Sequence, residues 1–167
     1  GLATLRRYLV IDSVQIVALC DINQAHLAEA ASLLHVDGQY SPMLLDSSDG
    51  WKQMCHRDDI DLIYICTDWL THASMACYAM EQGKHVAIEV PAATTVDECW
   101  QLVRASEKAG IPVMLLENCC YNEDELFATA AVRAGALGTV VHCSGAYGHE
   151  LRSEIANGNI KGHYRRR

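Results

Sequence analysis

The sequence predicts an α/β fold, a doubly wound parallel sheet with helices on both faces, and three observations predict it. Short, near-continuous apolar runs alternate with helix-period segments along most of the 167 residues. Polar and aromatic residues gather just after those runs, where a parallel sheet presents its carboxyl ends. The helical segments open on capping residues and close on glycines, as short crossover connections require.

Taken in order, Leu2–Leu9 reads as an amphipathic helix with no strand before it. Val14–Cys20 is an apolar strand, and Asp21 stands at its carboxyl end. After the cap Asn23, Leu27, Ala30, Ala31 and Leu34 recur at helical spacing, the stripe needed to cover a sheet. Leu62–Cys66 is a second strand, followed by a small-residue helix over Thr71–Gln82 that Gly83 closes. His85–Ile88 is a third. The capping-box pattern Thr95-x-x-Glu98 then opens a helix carrying Cys99, Leu102, Val103 and Ser106 on one face. Strand Pro112–Leu116 leads to a helix signalled by Asn122 and Glu125 and stopped at Gly135, and Thr139–Cys143 is strand-like.

This order predicts a Rossmann-type domain over residues 1–121 that lacks its first strand and glycine-rich loop, Gly1 being a candidate for the loop's last glycine. Residues 122–167 are predicted to begin a C-terminal α+β substrate domain. Both ends read as cut, and nothing in the N-terminus fixes a compartment.

Composition narrows the function. A formal charge of -8 argues against a nucleic-acid surface, which needs clustered Lys and Arg. The one basic cluster, Arg165–Arg167, reads as a solvated end or as a reach toward a polar substrate. No apolar run approaches a membrane span of roughly 20 residues. Eight cysteines without CxxC pairs or metal-ligand spacing predict buried reduced thiols and no metal site, with the adjacent Cys119 and Cys120 read as strand-end core residues.

The strand ends carry the chemistry. Asp21 suits the adenosine ribose hydroxyls and repels a 2′-phosphate, favouring NAD over NADP; its plainer reading is a turn or cap. Trp69 and His72 could border a nicotinamide or its ribose, or only pack and cap. Glu89, ahead of Val90 and the proline-fixed turn at Pro91, is placed to touch a cofactor sugar or to be a solvated turn carboxylate. Tyr147, His149 and Arg152 bring a phenol, an imidazole and a guanidinium together for proton transfer and for holding oxygen-rich ligands, or are surface residues of an edge strand.

In order along the chain, Leu-Cys-Asp-Ile (19–22), Cys-Thr-Asp-Trp-Leu-Thr-His (66–72), Gly-Lys-His-Val-Ala-Ile-Glu-Val-Pro-Ala-Ala (83–93), Glu-Cys-Trp-Gln-Leu-Val (98–103), Leu-Glu-Asn-Cys-Cys-Tyr (116–121) and Gly-Ala-Tyr-x-His-Glu-Leu-Arg (145–152) resemble the Gfo/Idh/MocA superfamily. More narrowly they resemble glycoside hydrolase family 109, the NAD-dependent α-N-acetylgalactosaminidases. Sugar dehydrogenases of the superfamily usually carry Glu-Lys-Pro where this chain has Glu89-Val90-Pro91, and the glycosidase branch shares the apolar residue.

The resemblance implies a redox-neutral hydrolysis: hydride leaves the sugar's third carbon for NAD, the proton on the second is removed, the anomeric substituent departs, water adds, and the ketone is reduced again. That route needs no pair of carboxylates flanking the bond. It implies that Asp21, Trp69, His72, Glu89, Val90 and Asn118 touch NAD. Tyr147, Arg152 and Tyr164 face the sugar, and His149, with Tyr121 second, transfers the proton. The partner is a small carbohydrate, with a homo-oligomer left open. A sugar dehydrogenase and an inactive truncated dinucleotide-binding module are the alternatives.

Overall fold

A computed structural model describes residues 1–36, 41–146 and 148–157. The chain separates into two units, residues 1–115 and 116–167. The first unit runs α1 (Leu2–Tyr8), β1 (Ala18–Cys20), α2 (Gln24–Val36), β2 (Met43–Leu45), α3 (Gly50–Cys55), β3 (Leu62–Ile65), α4 (His72–Glu81), β4 (His85–Ile88), α5 (Val96–Ala109) and β5 (Val113–Leu115). The second holds a 3-10 turn (Asn118–Tyr121), α6 (Glu123–Arg133) and α7 (Arg152–Asn157). No helix among the described residues is long and apolar enough to cross a membrane.

All pairing is parallel. β1 pairs with β2, and β3, β4 and β5 form a second ladder. Set against the doubly wound order 3-2-1-4-5-6, these are strands 3-2 and 4-5-6; among the described residues no strand pairs β1 to β3. Both ladders feed one core. Ala18 of β1 clusters with Ile63, Ile65, Val86 and Ile88, with Ala73, Ala76, Ala79 and Met80 of α4, and with Leu102 of α5. Strand β4, paired on both sides, buries Val86, Ala87 and Ile88 in succession, which is why its sequence shows no alternation.

Helix α4 approaches the sheet through alanines. Gly83 ends it at φ +79, and the Gly83 and Lys84 amides donate to the Met80 and Ala79 carbonyls, both at 3.0 Å. Helix α5 opens on the expected box. Thr95 Oγ1 accepts from the Glu98 amide at 3.2 Å and Glu98 Oε2 from the Thr95 amide at 3.0 Å.

Four expectations need correction. The strand read from Val14 starts at Ala18, because only Ala18–Cys20 find a register against β2. Thr139–Cys143 is not a strand: among the described residues of its unit there is no strand to complete a ladder, and Val141 is 91% exposed. On α5, Leu102 is buried and Ala105 packs on the core, whereas Cys99 and Val103 lie outside that stripe and are exposed. The cysteines are free, but only Cys55 is buried; Cys66, Cys99, Cys120 and Cys143 are exposed, since the core does not extend past a strand end or over a helix rim.

Candidate functional site at the strand tips

At the tip of β1, Asp21 extends the ladder by donating its amide to the Leu45 carbonyl at 3.1 Å. Its Oδ1 accepts from the Asn23 amide at 2.8 Å, and its Oδ2 lies 3.5 Å from His26 Nδ1. Asn23 in turn caps α2, its Oδ1 accepting from the Ala25 amide at 3.0 Å. The carboxylate is thus held by the first turn of α2 while part of it faces solvent. That suits an acceptor of sugar hydroxyls.

At the tips of β3 and β4 the register decides which side chains meet. Tyr64 pairs with Ala87, and Glu89 lies two residues beyond Ala87, so the phenol and the carboxylate share one face of the ladder. Glu89 Oε1 accepts from Tyr64 Oη at 2.5 Å and from Thr4 Oγ1 of α1 at 3.0 Å. The Tyr8 ring meets the Tyr64 ring edge-on, with centroids 5.5 Å apart. Burial first, and the Glu89 hydrogen bond second, push the Tyr64 phenol well above its ordinary range; burial and then the Glu89 charge raise Tyr8 as well. The same face brings Gly1 against β3, where an added Cβ would stand 3.1 Å from Cys66 Sγ.

His72, the first residue of α4, is 1% exposed. Its Nδ1 lies 2.7 Å from the Pro91 carbonyl and its Nε2 3.1 Å from the Thr67 carbonyl, so one ring ties the turn after β3 to the turn after β4. Pro91 follows Val90 through a cis peptide bond. Val90 itself is 45% exposed beside Glu89 and carries no group that could accept a proton. Trp69 sits half-buried in the turn that leads to α4. Asp68 braces this turn, accepting from the Leu70 amide at 3.0 Å and from Thr71 Oγ1 at 3.2 Å.

In the second unit, Glu117 Oε1 caps the 3-10 turn by accepting from the Cys119 amide at 3.2 Å, which sets the backbone of Asn118 and Tyr121. Asn118 and Tyr121 are both exposed. Arg152 starts α7 and grips Glu150 with two parallel bonds, Nε to Oε1 at 2.8 Å and Nη2 to Oε2 at 2.6 Å. That partner holds the Glu150 carboxyl below its usual range. His149 is exposed next to this pair. Tyr147 and Tyr164 lie outside the described residues.

Within the first unit, then, Trp69, His72, Glu89 and Val90 come together at the tips of β3 and β4, and Asp21 lies at the tip of β1 in the other ladder. Sequence reasoning passed over Tyr64 and Thr4. The signal for Tyr64 was a hydroxyl-bearing ring inside an apolar strand, but its meaning needed the β3–β4 register.

Comparison with known proteins agrees with the Rossmann-type fold. The Gfo/Idh/MocA family model, described as "Oxidoreductase family, NAD-binding Rossmann fold", matches residues 3–116. Two relatives from Bacteroides fragilis are a "Glycosyl hydrolase family 109 protein 2", 54% identical over 92% of this chain, and an "Alpha-N-acetylgalactosaminidase", 53% identical over the same share. The chain spans only 36% of the length of each. Among solved structures, an oxidoreductase domain protein from Kribbella flavida superposes with a TM-score of 0.65 at 32% identity, over 75% of this chain and 32% of that one. The WlbA dehydrogenase from Bordetella pertussis, in complex with NADH and UDP-GlcNAcA, does so at 0.69 and 20% identity, over 83% of this chain and 41% of that one, a likeness of fold alone.

Proposed function

The chain belongs to the Gfo/Idh/MocA oxidoreductase family, with its NAD-binding Rossmann fold, and from that premise we propose that it is the cofactor-holding part of an NAD-dependent α-N-acetylgalactosaminidase. The residues fit NAD. Asp21 offers a braced carboxylate to the adenosine ribose, and a 2′-phosphate beside it would be repelled. Glu89 is fixed through Oε1, while among the described residues nothing donates to Oε2, which leaves an acceptor for the ribose of the other half. Trp69 and Val90 border the nicotinamide side, and His72 acts on it through the two turns it joins. NAD, when bound, supplies reversible hydride transfer.

The observation that carries the hydrolase reading is Val90. A dehydrogenase of this family needs a proton acceptor there, and an apolar side chain half exposed at the strand tip cannot be one. The 54% identity to a protein named for glycosyl hydrolase family 109 points the same way. In this reading residues 1–121 hold the dinucleotide and 122–167 begin the sugar-facing domain. In the latter His149 moves the substrate proton, and Tyr147, Arg152 and Tyr164 hold sugar hydroxyls; Tyr121, at the end of the former, is the second candidate for the proton.

The test uses this chain and a polypeptide extended to the length of its relatives, each incubated with an aryl α-N-acetylgalactosaminide. The extended polypeptide should release the phenol with no net absorbance from reduced nicotinamide, and release should stop when bound NAD is stripped. Stoichiometric accumulation of reduced nicotinamide would identify a dehydrogenase instead.

A further inference from the structure

We propose that Tyr64 and Thr4 are positioning residues that hold Glu89 with its second carboxylate oxygen turned toward the ribose on the nicotinamide side of the cofactor. The inference rests on the proposed NAD reading and adds to it two residues, one from within β3 and one from α1.

A glutamate at a strand tip has three side-chain torsions, and one left free would have to be ordered by the ligand at the ligand's cost. Here that ordering is built in. The Tyr64 phenol and the Thr4 hydroxyl both donate to Oε1, at 2.5 and 3.0 Å, one from within the sheet and one from α1. Oε2 accepts from no described residue. The parallel register makes the arrangement stiff, because Tyr64 and Glu89 are diagonal neighbours on one face and the Glu89 amide continues the ladder to the Ile65 carbonyl at 2.9 Å. Tyr8 packs edge-on against the phenol ring. Burial keeps Tyr64 in its donating form well past its ordinary range.

In a doubly wound sheet the two mononucleotide halves meet opposite sets of strands. Asp21 serves the adenosine half from β1, so Glu89 on β4 serves the other. ADP contains the first half only. A positioning role therefore predicts loss for NAD without loss for ADP, whereas a merely structural tie would affect both.

The experiment is calorimetric titration of this chain, wild type and Tyr64→Phe, Glu89→Gln and the double variant, with NAD and with ADP. A charge-assisted hydrogen bond of this kind predicts that Tyr64→Phe weakens NAD about tenfold and leaves ADP within about twofold. On the Glu89→Gln background the same change should weaken NAD less than about twofold, the mark of two residues acting through one contact. Thr4→Val, which leaves the sheet intact, should weaken NAD in the same selective way if Tyr64→Phe does not fold. Equal losses for both ligands, or none for either in a wild type that binds NAD, would overturn the positioning role alone. A wild type that binds ADP but gains nothing from the nicotinamide half would overturn the NAD reading beneath it.

Discussion

His72 shows how a single buried residue can join two turns. It is buried at the start of α4, and both ring nitrogens face backbone carbonyls, of Thr67 and Pro91. Replacing it by alanine removes both contacts and opens a cavity, so His72→Ala should cost about 2–4 kcal/mol in urea unfolding and weaken NAD binding as the two turns drift apart. A loss below about 0.5 kcal/mol would mean the ring is not holding them. Cys55 makes a prediction of the opposite kind, about pH. Burial pushes its thiol up to about 11 from the ordinary 9.0. The unfolded chain gives up that proton first, so the contribution is complete below pH 9 and is lost as pH rises through about 11. The loss should reach about 2 kcal/mol, and Cys55→Ala should flatten the fall in urea midpoint between about pH 8 and about pH 10.5. At this scale the sequence made Asp21 and Glu89 legible because each ends an apolar run. Tyr64 stayed hidden because its partner is across a ladder whose register no sequence prints, and the tie made by His72 because its partners are carbonyls.

Elements were legible in proportion to the local chemistry that marks them. Helix α5 announced itself through Thr95 and Glu98, and it stops at Gly110, where φ is +66. Strand β2, three residues long and mostly exposed, and α3, six residues, are too short for any period to emerge. What specifies α3 is close approach. A Cβ at Gly50 would stand 2.8 Å from Leu45 Cβ and 3.1 Å from Cys20 Sγ, so the helix can begin only where a side chain is absent. Gly50→Ala should therefore push α3 away from the tips of β1 and β2 and destabilise the chain by about 1–3 kcal/mol despite alanine's better helix propensity. Because Cys20 precedes Asp21, the displacement should also weaken NAD binding. A variant as stable as wild type in thermal unfolding would show that the contact relaxes freely.

Across the whole molecule, burial is distributed unevenly, and function follows that distribution. Among the described residues the entire core lies between Leu5 and Leu102, in the first unit. Helix α6 buries none of its residues, and Phe127, Leu137 and Val141 are 76%, 63% and 91% exposed. Local stability tracks buried apolar contact, so amide exchange should be slowest in β3, β4 and α4 and faster by orders of magnitude throughout 116–157. The residues proposed to bind the dinucleotide through backbone turns and carboxylates sit largely on the slow part, and His149 and Arg152, proposed to act on the sugar, sit on the fast part. Hydrogen–deuterium exchange with saturating NAD tests the division. Ligand at about 100 times its dissociation constant adds about 2.7 kcal/mol to the state that binds it. New protection should appear around Asp21, over Thr67–His72 and over Glu89–Pro91, while α6 and α7 keep their rates. Protection that arose first in 148–157 would place the cofactor's main grip on the wrong unit and reverse the assignment of roles along the chain.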